Sequence, residues 1–235
     1  MNCKIEESIA DMISLLKEVL ENKVLRAEFS WDISDKTISE IGGRLIEDFI
    51  LCQLPKYIID KKSKDASYQF VHCVIPESQR AMEDIEFVWK KDEICYHLLV
   101  DVKGHNELKM GSRPNLASIR KCKEFYSDNE KMKTHEFYIF FCRYQPVITK
   151  NEGKTIIEYK IKSESFTKKG IFPLKYLHTK NMDPANIGSG GQILLARETE
   201  IEFIKRTDAD FLGELNRFSA YLEKLKKDKN KKKEK

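Results

Sequence analysis

Two β-patterned runs with a few charged residues between them constrain this chain more than any other feature. Asp84 to Lys90 alternates Ile85, Phe87 and Trp89 with Asp84, Glu86, Val88 and Lys90, the two-residue period of a strand. Ile94 to Lys103 is more apolar, and the short Lys-Asp region between the runs predicts a β-hairpin. Strand side chains alternate faces, so Asp101 and Lys103 point one way while Val100 and Val102 point into the core. Pairing sets Asp84 opposite Leu99 with a two-residue loop, or opposite Asp101 with a four-residue loop. Either register gathers Asp84, Asp101 and Lys103 on one side, because directly opposed residues share a face. Leu98, Leu99 and Val100 just before Asp101 indicate a strand buried on both faces, where a charge requires a partner or a metal.

The remaining pattern surrounds that hairpin with helices. Ile5 to Leu25 carries apolar residues at helical spacing, and a second helix is expected from Lys36 to Leu54, stopped by Pro55. Gly42 and Gly43 weaken this second helix and predict close packing against another backbone. Strands are expected at Tyr68 to Ile75, at the almost wholly apolar Phe137 to Cys142, at Thr155 to Ile161 and near Gln192 to Ala196. A loop with Gly104, Gly111 and Pro114 leads into a helix ending near Tyr126. Asp183 to Gly191 reads as a loop, and Asp208 to Lys227 as the last helix. There are no internal repeats. The order implies a mixed α/β (α+β) fold, with a central mixed sheet of five or six strands flanked by helices.

At 235 residues one domain spanning 1–223 is expected, able to bury a sizeable core. Within it lie an N-terminal helix (5–25), a core (36–145) and a C-terminal part (146–223). The formal net charge of +4 is unevenly spread. Lys224 to Lys235 holds eight lysines and two acids, a local +6, while the first 223 residues carry 34 bases against 36 acids. Such a like-charged tail is expected to be disordered, and whole-chain charge alone does not indicate a nucleic-acid partner. No apolar run approaches the roughly 18 residues of a membrane span. Met1 to Glu7 lacks the basic start and apolar centre of a signal peptide. The six cysteines (Cys3, Cys52, Cys73, Cys95, Cys122 and Cys142) contain no CxxC pair. Most sit in apolar runs, predicting buried free thiols in a reducing cytoplasm.

Two carboxylates and an ammonium on a rigid two-stranded platform form an arrangement suited to holding Mg²⁺ through oxygen ligands beside a phosphate. The competing reading is a surface hairpin with a solvated polar face. Four motifs in order favour the first. Glu47 lies on an early helix, Glu83-Asp84-Ile85 opens a strand, and Leu99-Val100-Asp101-Val102-Lys103 ends the next. Arg113-Pro114-Asn115-Leu116-Ala117-Ser118-Ile119 opens a helix. In this the chain resembles the PD-(D/E)XK nuclease superfamily, and within it type II restriction endonucleases of the EcoRV and HincII kind, over roughly residues 36–145.

The resemblance implies a restriction-endonuclease-like fold and hydrolysis of DNA phosphodiesters. Asp84 and Asp101 would ligate Mg²⁺, Lys103 would orient or activate the attacking water, and Glu47 would complete the metal site or hold water from the helix. Glu83 stands where the family name has proline, which leaves open whether Glu83 or Glu86 assists; Glu40, Arg44 and Glu47 could equally form an exposed row. His97 reads as a packed histidine rather than part of a nucleophilic triad. Two segments are expected to meet double-stranded DNA. The first supplies His105, Asn106, Lys109, Ser112, Arg113 and Asn115, with free N–H groups at the helix start near Pro114. The second supplies Asn181, Asn186, Ser189 and Gln192, whose amides suit adenine in the major groove. The resemblance also implies a homodimer matched to palindromic sites and a cognate DNA methyltransferase protecting the host. Alternatives on the same fold are a repair or mobile-element nuclease, or a non-catalytic DNA-binding module.

Overall fold

The computed structural model describes residues 2–78, 81–107, 115–186, 191–195 and 201–233. Helix α1 (Asn2–Leu20) turns at Glu21 into strand β1 (Val24–Phe29), and helix α2 (Asp35–Lys64) follows. Next come β2 (Phe70–Val74), β3 (Ile85–Lys91), β4 (Ile94–Asn106), β5 (Asn115–Ser118) and helix α3 (Ile119–Tyr126). Then β6 (His135–Asn151), β7 (Lys154–Ile161), β8 (Ile171–Pro173), β9 (Met182–Asn186) and β10 (Gln192–Leu195) lead to helix α4 (Asp208–Lys233). This is a mixed α/β fold. The main sheet runs β1-β7-β6-β4-β3-β2, with β8 also on β6, and β5-β10-β9 form a small second sheet. In the main sheet β4 and β6 pair in parallel, and their neighbours are antiparallel.

Each face of the main sheet has its own core. Val100, Val102, Tyr138, Phe140 and Cys142 pack against Met12 and Leu16 of α1 and Ile46, Ile50, Leu54 and Ile58 of α2. On the other face Leu99, Phe137, Ile139 and Phe141 meet α3, α4 and the small sheet through Cys122, Phe211, Leu215 and Ile193. The strand carrying Asp101 is therefore covered on both sides, as its apolar approach predicts.

Several local expectations are corrected. The first helix ends at Leu20 rather than Leu25, because Leu25 pairs with Tyr159 of β7. The second helix continues through Pro55 to Lys64. Proline removes one hydrogen bond there, yet Leu54 and Ile58 are each only 1% exposed, so packing on the sheet carries the helix past it. Residues 115–118, expected as the first turn of a helix, form β5 and pair with β10. Part of the expected 183–191 loop is β9, and the sheet gains strands through β1 and β8. The basic tail, expected to be disordered, prolongs α4 as far as Lys233. The described cysteines are free, but only Cys122 and Cys142 are buried, whereas Cys52 and Cys95 are exposed.

A buried polar network anchors the base of α4. Lys175, 3% exposed, pairs with Glu136 and with Asp208 at 2.7 Å. Arg206 bonds the Lys175 and Leu177 carbonyls and Glu214, and its guanidinium lies 4.7 Å from the Phe211 ring centroid. Among the described residues, no helix is long and apolar enough to cross a membrane.

Candidate active site

The site originates in a length mismatch between neighbouring strands. The β3–β4 register runs from Lys91↔Ile94 to Ile85↔Val100, which continues to Asp84 against Asp101. Asp84 N donates to Val100 O at 2.9 Å. The turn is the two residues Asp92 and Glu93, with φ of 49° and 61°, so the Asp84–Asp101 register comes with a tighter loop than expected. Beyond Val100, β4 continues to Asn106 with no β3 beside it. The N–H groups of Val102 and Gly104 face that empty edge, and a buried N–H needs an acceptor. Asp84 Oδ2 accepts from Val102 N at 2.8 Å, and Glu47 Oε1 accepts from Gly104 N at 3.2 Å. The backbone itself thus pins two of the expected carboxylates at the strand end.

Glu47 reaches this edge because α2 approaches β4 closely. A Cβ on Gly104 would lie 2.9 Å from Gly43 Cα, and one on Gly42 would lie 2.9 Å from the Tyr144 hydroxyl. The paired glycines let helix and strand backbones touch, as the sequence predicts. Glu47 is held at the site rather than in an exposed row with Arg44, which pairs with Asp48 on the surface.

Asp101 is 4% exposed and its Oδ1 accepts from Lys103 Nζ at 2.6 Å. Burial pushes the Asp101 carboxyl well above the usual carboxylate range; Lys103 opposes the shift, and Asp84 adds to it by charge and by a side-chain hydrogen bond. Burial also raises Glu47, against the Gly104 amide and Lys103. Burial would lower Lys103, but Asp101, Asp84 and Glu47 outweigh it and leave its pKa raised. Burial is the largest cause for Asp101 and Glu47, while the carboxylates around Lys103 outweigh its own burial, so the lysine keeps its proton. An open cavity of about 410 Å³, with Glu47, Ser78, Glu83 and Asp84 in its wall, adjoins the cluster.

The neighbouring acids divide. Glu83 lines the cavity, whereas Glu86 bonds His97 Nδ1 at 2.5 Å, away from Asp84. His97 in turn stacks on His135, with ring centroids 4.3 Å apart, so it is a packed histidine as read from the sequence. Among the described residues, no three His, Cys, Asp or Glu side chains are grouped so as to close on one metal ion. The cluster instead offers hard carboxylate oxygens in excess of positive charge.

The expected DNA-contacting residues separate further. His105 and Asn106 belong to β4 itself rather than to a loop. His105 stacks on Phe141 at 5.1 Å, and burial, followed by Arg143, lowers its pKa, whereas Asn106 is buried at 8% exposure. Asn115 is exposed on β5. Asn181 is fully buried and its Oδ1 accepts from Glu202 N at 2.9 Å, so it fixes a neighbouring segment instead of facing a ligand. Gln192 lies opposite Ser118 and Asn186, and its buried Oε1 has no hydrogen-bond partner among the described residues. Asn186 is described by its backbone alone, and Lys109, Ser112, Arg113 and Ser189 lie outside the described residues. The helix start expected near Pro114 as a phosphate site falls instead at Ile119.

Arg143 lies on the same sheet face and carries no local signal of a role in the sequence. Its place beside His105 depends on the parallel β4–β6 register, which no local pattern reveals; only its position two residues after Phe141 and four after Ile139 points to a shared face. No protein-family model matches the chain, and no curated protein matches it significantly.

Proposed function

We propose that this chain is a Mg²⁺-dependent, sequence-specific DNA endonuclease of the type II restriction kind, acting as a homodimer. The observation carrying this reading is the convergence of Glu47, Asp84, Asp101 and Lys103 at the uncovered end of β4, two of them fixed by strand amides. The donor set fits a magnesium ion. Its ligands are oxygens, the carboxylates outnumber the cations, and Mg²⁺ commonly takes one or two carboxylates with water and substrate phosphate completing its shell. Asp84 and Asp101 would hold the ion, and Glu47 would hold a water from the helix. When bound, it supplies neutralising charge and a bound water of lowered pKa.

The chain's own residues do the rest. Lys103, kept protonated by its carboxylate neighbours, faces a phosphate oxygen and offsets charge that grows during in-line attack. Its N–H bonds also orient the attacking water. Asp84 and Glu47 are pre-positioned by backbone hydrogen bonds, so little reorganisation is needed at reaction. The two-sided core below Asp101 keeps the catalytic strand rigid.

The test is incubation of purified protein with unmethylated plasmid DNA and Mg²⁺, beside Asp101→Ala and Lys103→Ala. Discrete fragments from the wild type, absent with both variants, are expected. A smear or structure-selective nicking would assign the same chemistry to a repair-type nuclease, and no cleavage across varied DNA and metals would reject the proposal. Sedimentation of the intact protein tests the dimer.

A further inference from the structure

Beyond Lys103, the same sheet face carries a second cationic position that the proposed reaction has not yet used. The parallel register sets Lys103 beside Phe141 and His105 beside Arg143. Asp101, Lys103 and His105 alternate onto one face, and Phe141 and Arg143 share it. Phe141, 3% exposed, serves as a common support. His105 stacks on it with centroids 5.1 Å apart, and the Arg143 guanidinium carbon lies 5.4 Å from its centroid, a cation–π geometry.

Arg143 is also unusually well fixed. Here β6 passes from pairing with β8 to pairing with β7, and a buried serine fills the gap. Arg143 N donates to Ser165 Oγ at 2.8 Å, Ser165 Oγ donates to Arg143 O at 3.2 Å, and Lys162 N donates to Arg143 O at 2.9 Å. Ser165 is fully buried. The guanidinium, by contrast, pairs with no carboxylate among the described residues. Arg26, Arg44, Arg120 and Arg206 each pair with an acid, whereas Arg143, like the exposed Arg217 on α4, has no ion pair among the described residues. The nearby Glu107 faces Lys162 instead, at 4.0 Å. A partly exposed arginine on a fixed backbone, braced by an aromatic ring and paired with no anion among the described residues, is arranged to receive one from outside.

We propose that Arg143 binds a backbone phosphate next to the scissile one, with His105 beside it, so that the site grips successive phosphates of a polynucleotide strand. Same-face residues on a strand recur about every 6.6 Å, which puts Arg143 and His105 one step along from Lys103. This deepens the nuclease reading and rests on it: the substrate is an internal phosphodiester within a polymer rather than a small phosphate ester.

The experiment measures binding of a short mixed-sequence DNA duplex, in Ca²⁺ to prevent cutting, over a range of salt. Wild type, Arg143→Ala, Arg143→Gln and Arg143→Lys are compared, and folding of each is checked by thermal melting. Arg143→Gln keeps much of the packing on Phe141 and serves if the alanine variant does not fold. Loss of one charged contact should weaken binding roughly tenfold or more. It should also flatten the slope of log affinity against log salt by about 0.9 for each Arg143 lost, about 1.8 for the homodimer, while Arg143→Lys retains the slope. Unchanged affinity and slope in a variant that still folds, with wild-type protein binding and cutting DNA, would overturn this inference alone. A wild type that binds no DNA would overturn it together with the nuclease reading.

Discussion

Asp101 sits where burial, a like-charged neighbour and one ammonium meet, and its neutral isostere separates stability from chemistry. In Asp101→Asn, Lys103 still has Asp84 and Glu47 to balance it, and one charge of the excess is gone. The unfolding free energy should rise by about 1 kcal/mol or stay level, while cleavage falls by roughly 10²-fold or more. Thermal melting and a timed plasmid digest measure the two effects. Adding Mg²⁺ should raise the melting temperature of the wild type, because a ligand that binds only the folded state stabilises it, and should leave Asp101→Asn unmoved. At this scale the sequence was informative. The alternation around Asp84, Asp101 and Lys103 placed all three on one face, since a strand's period is fixed by its backbone. Glu47 was ambiguous, because its role depends on how near α2 lies to β4. Asn181 was misread, since burial by a later segment (Glu202 N) leaves no trace in local composition.

At the level of elements, the contact between α2 and β4 aligns the site. Gly104→Ala would place a methyl 2.9 Å from Gly43 Cα, against backbone rather than a side chain that could turn aside. The helix must shift, and overpacking of this kind costs about 1–3 kcal/mol. Melting temperature and cleavage rate should fall together, because Glu47 moves with the helix. The stacked His97 and His135 give a pH-dependent difference. Burial, followed by the His97 charge, lowers the His135 pKa below 6.5. Its stabilising contribution is therefore present above pH 6.5 and lost as pH falls through the folded-state value. A melting profile of His135→Gln should be flatter over that acid window than the wild type. Pro55 and β5 mark where sequence reading stopped short. Helix α2 is held past its proline by tertiary packing of Leu54 and Ile58, and residues 115–118 become a strand by pairing with a segment some 75 positions later. Neither partner is visible within a local window.

For the whole molecule, charge is divided between a near-neutral body and a basic helical end. Helix α4 contributes Phe211, Leu215 and Leu222 to the core, so truncation after Glu223 keeps these three residues and removes a local +6. The truncated protein should cut at the same positions, with affinity that falls less steeply as salt increases; digests and binding titrations over salt read this directly. The fold class was legible from the succession of helical and strand periods, as was the two-sided burial of the strand that carries Asp101. The second sheet and the β1 edge were not, because each arises from pairing between distant segments. The central claim is that the acidic end of β4 cuts DNA. Its most direct measurement is digestion of unmethylated plasmid in Mg²⁺ by wild-type protein and by a folded Asp101→Asn variant of at least equal melting temperature. Discrete fragments from the wild type alone, abolished by chelation, are the predicted result; equal cutting by both proteins, or by neither, would contradict it.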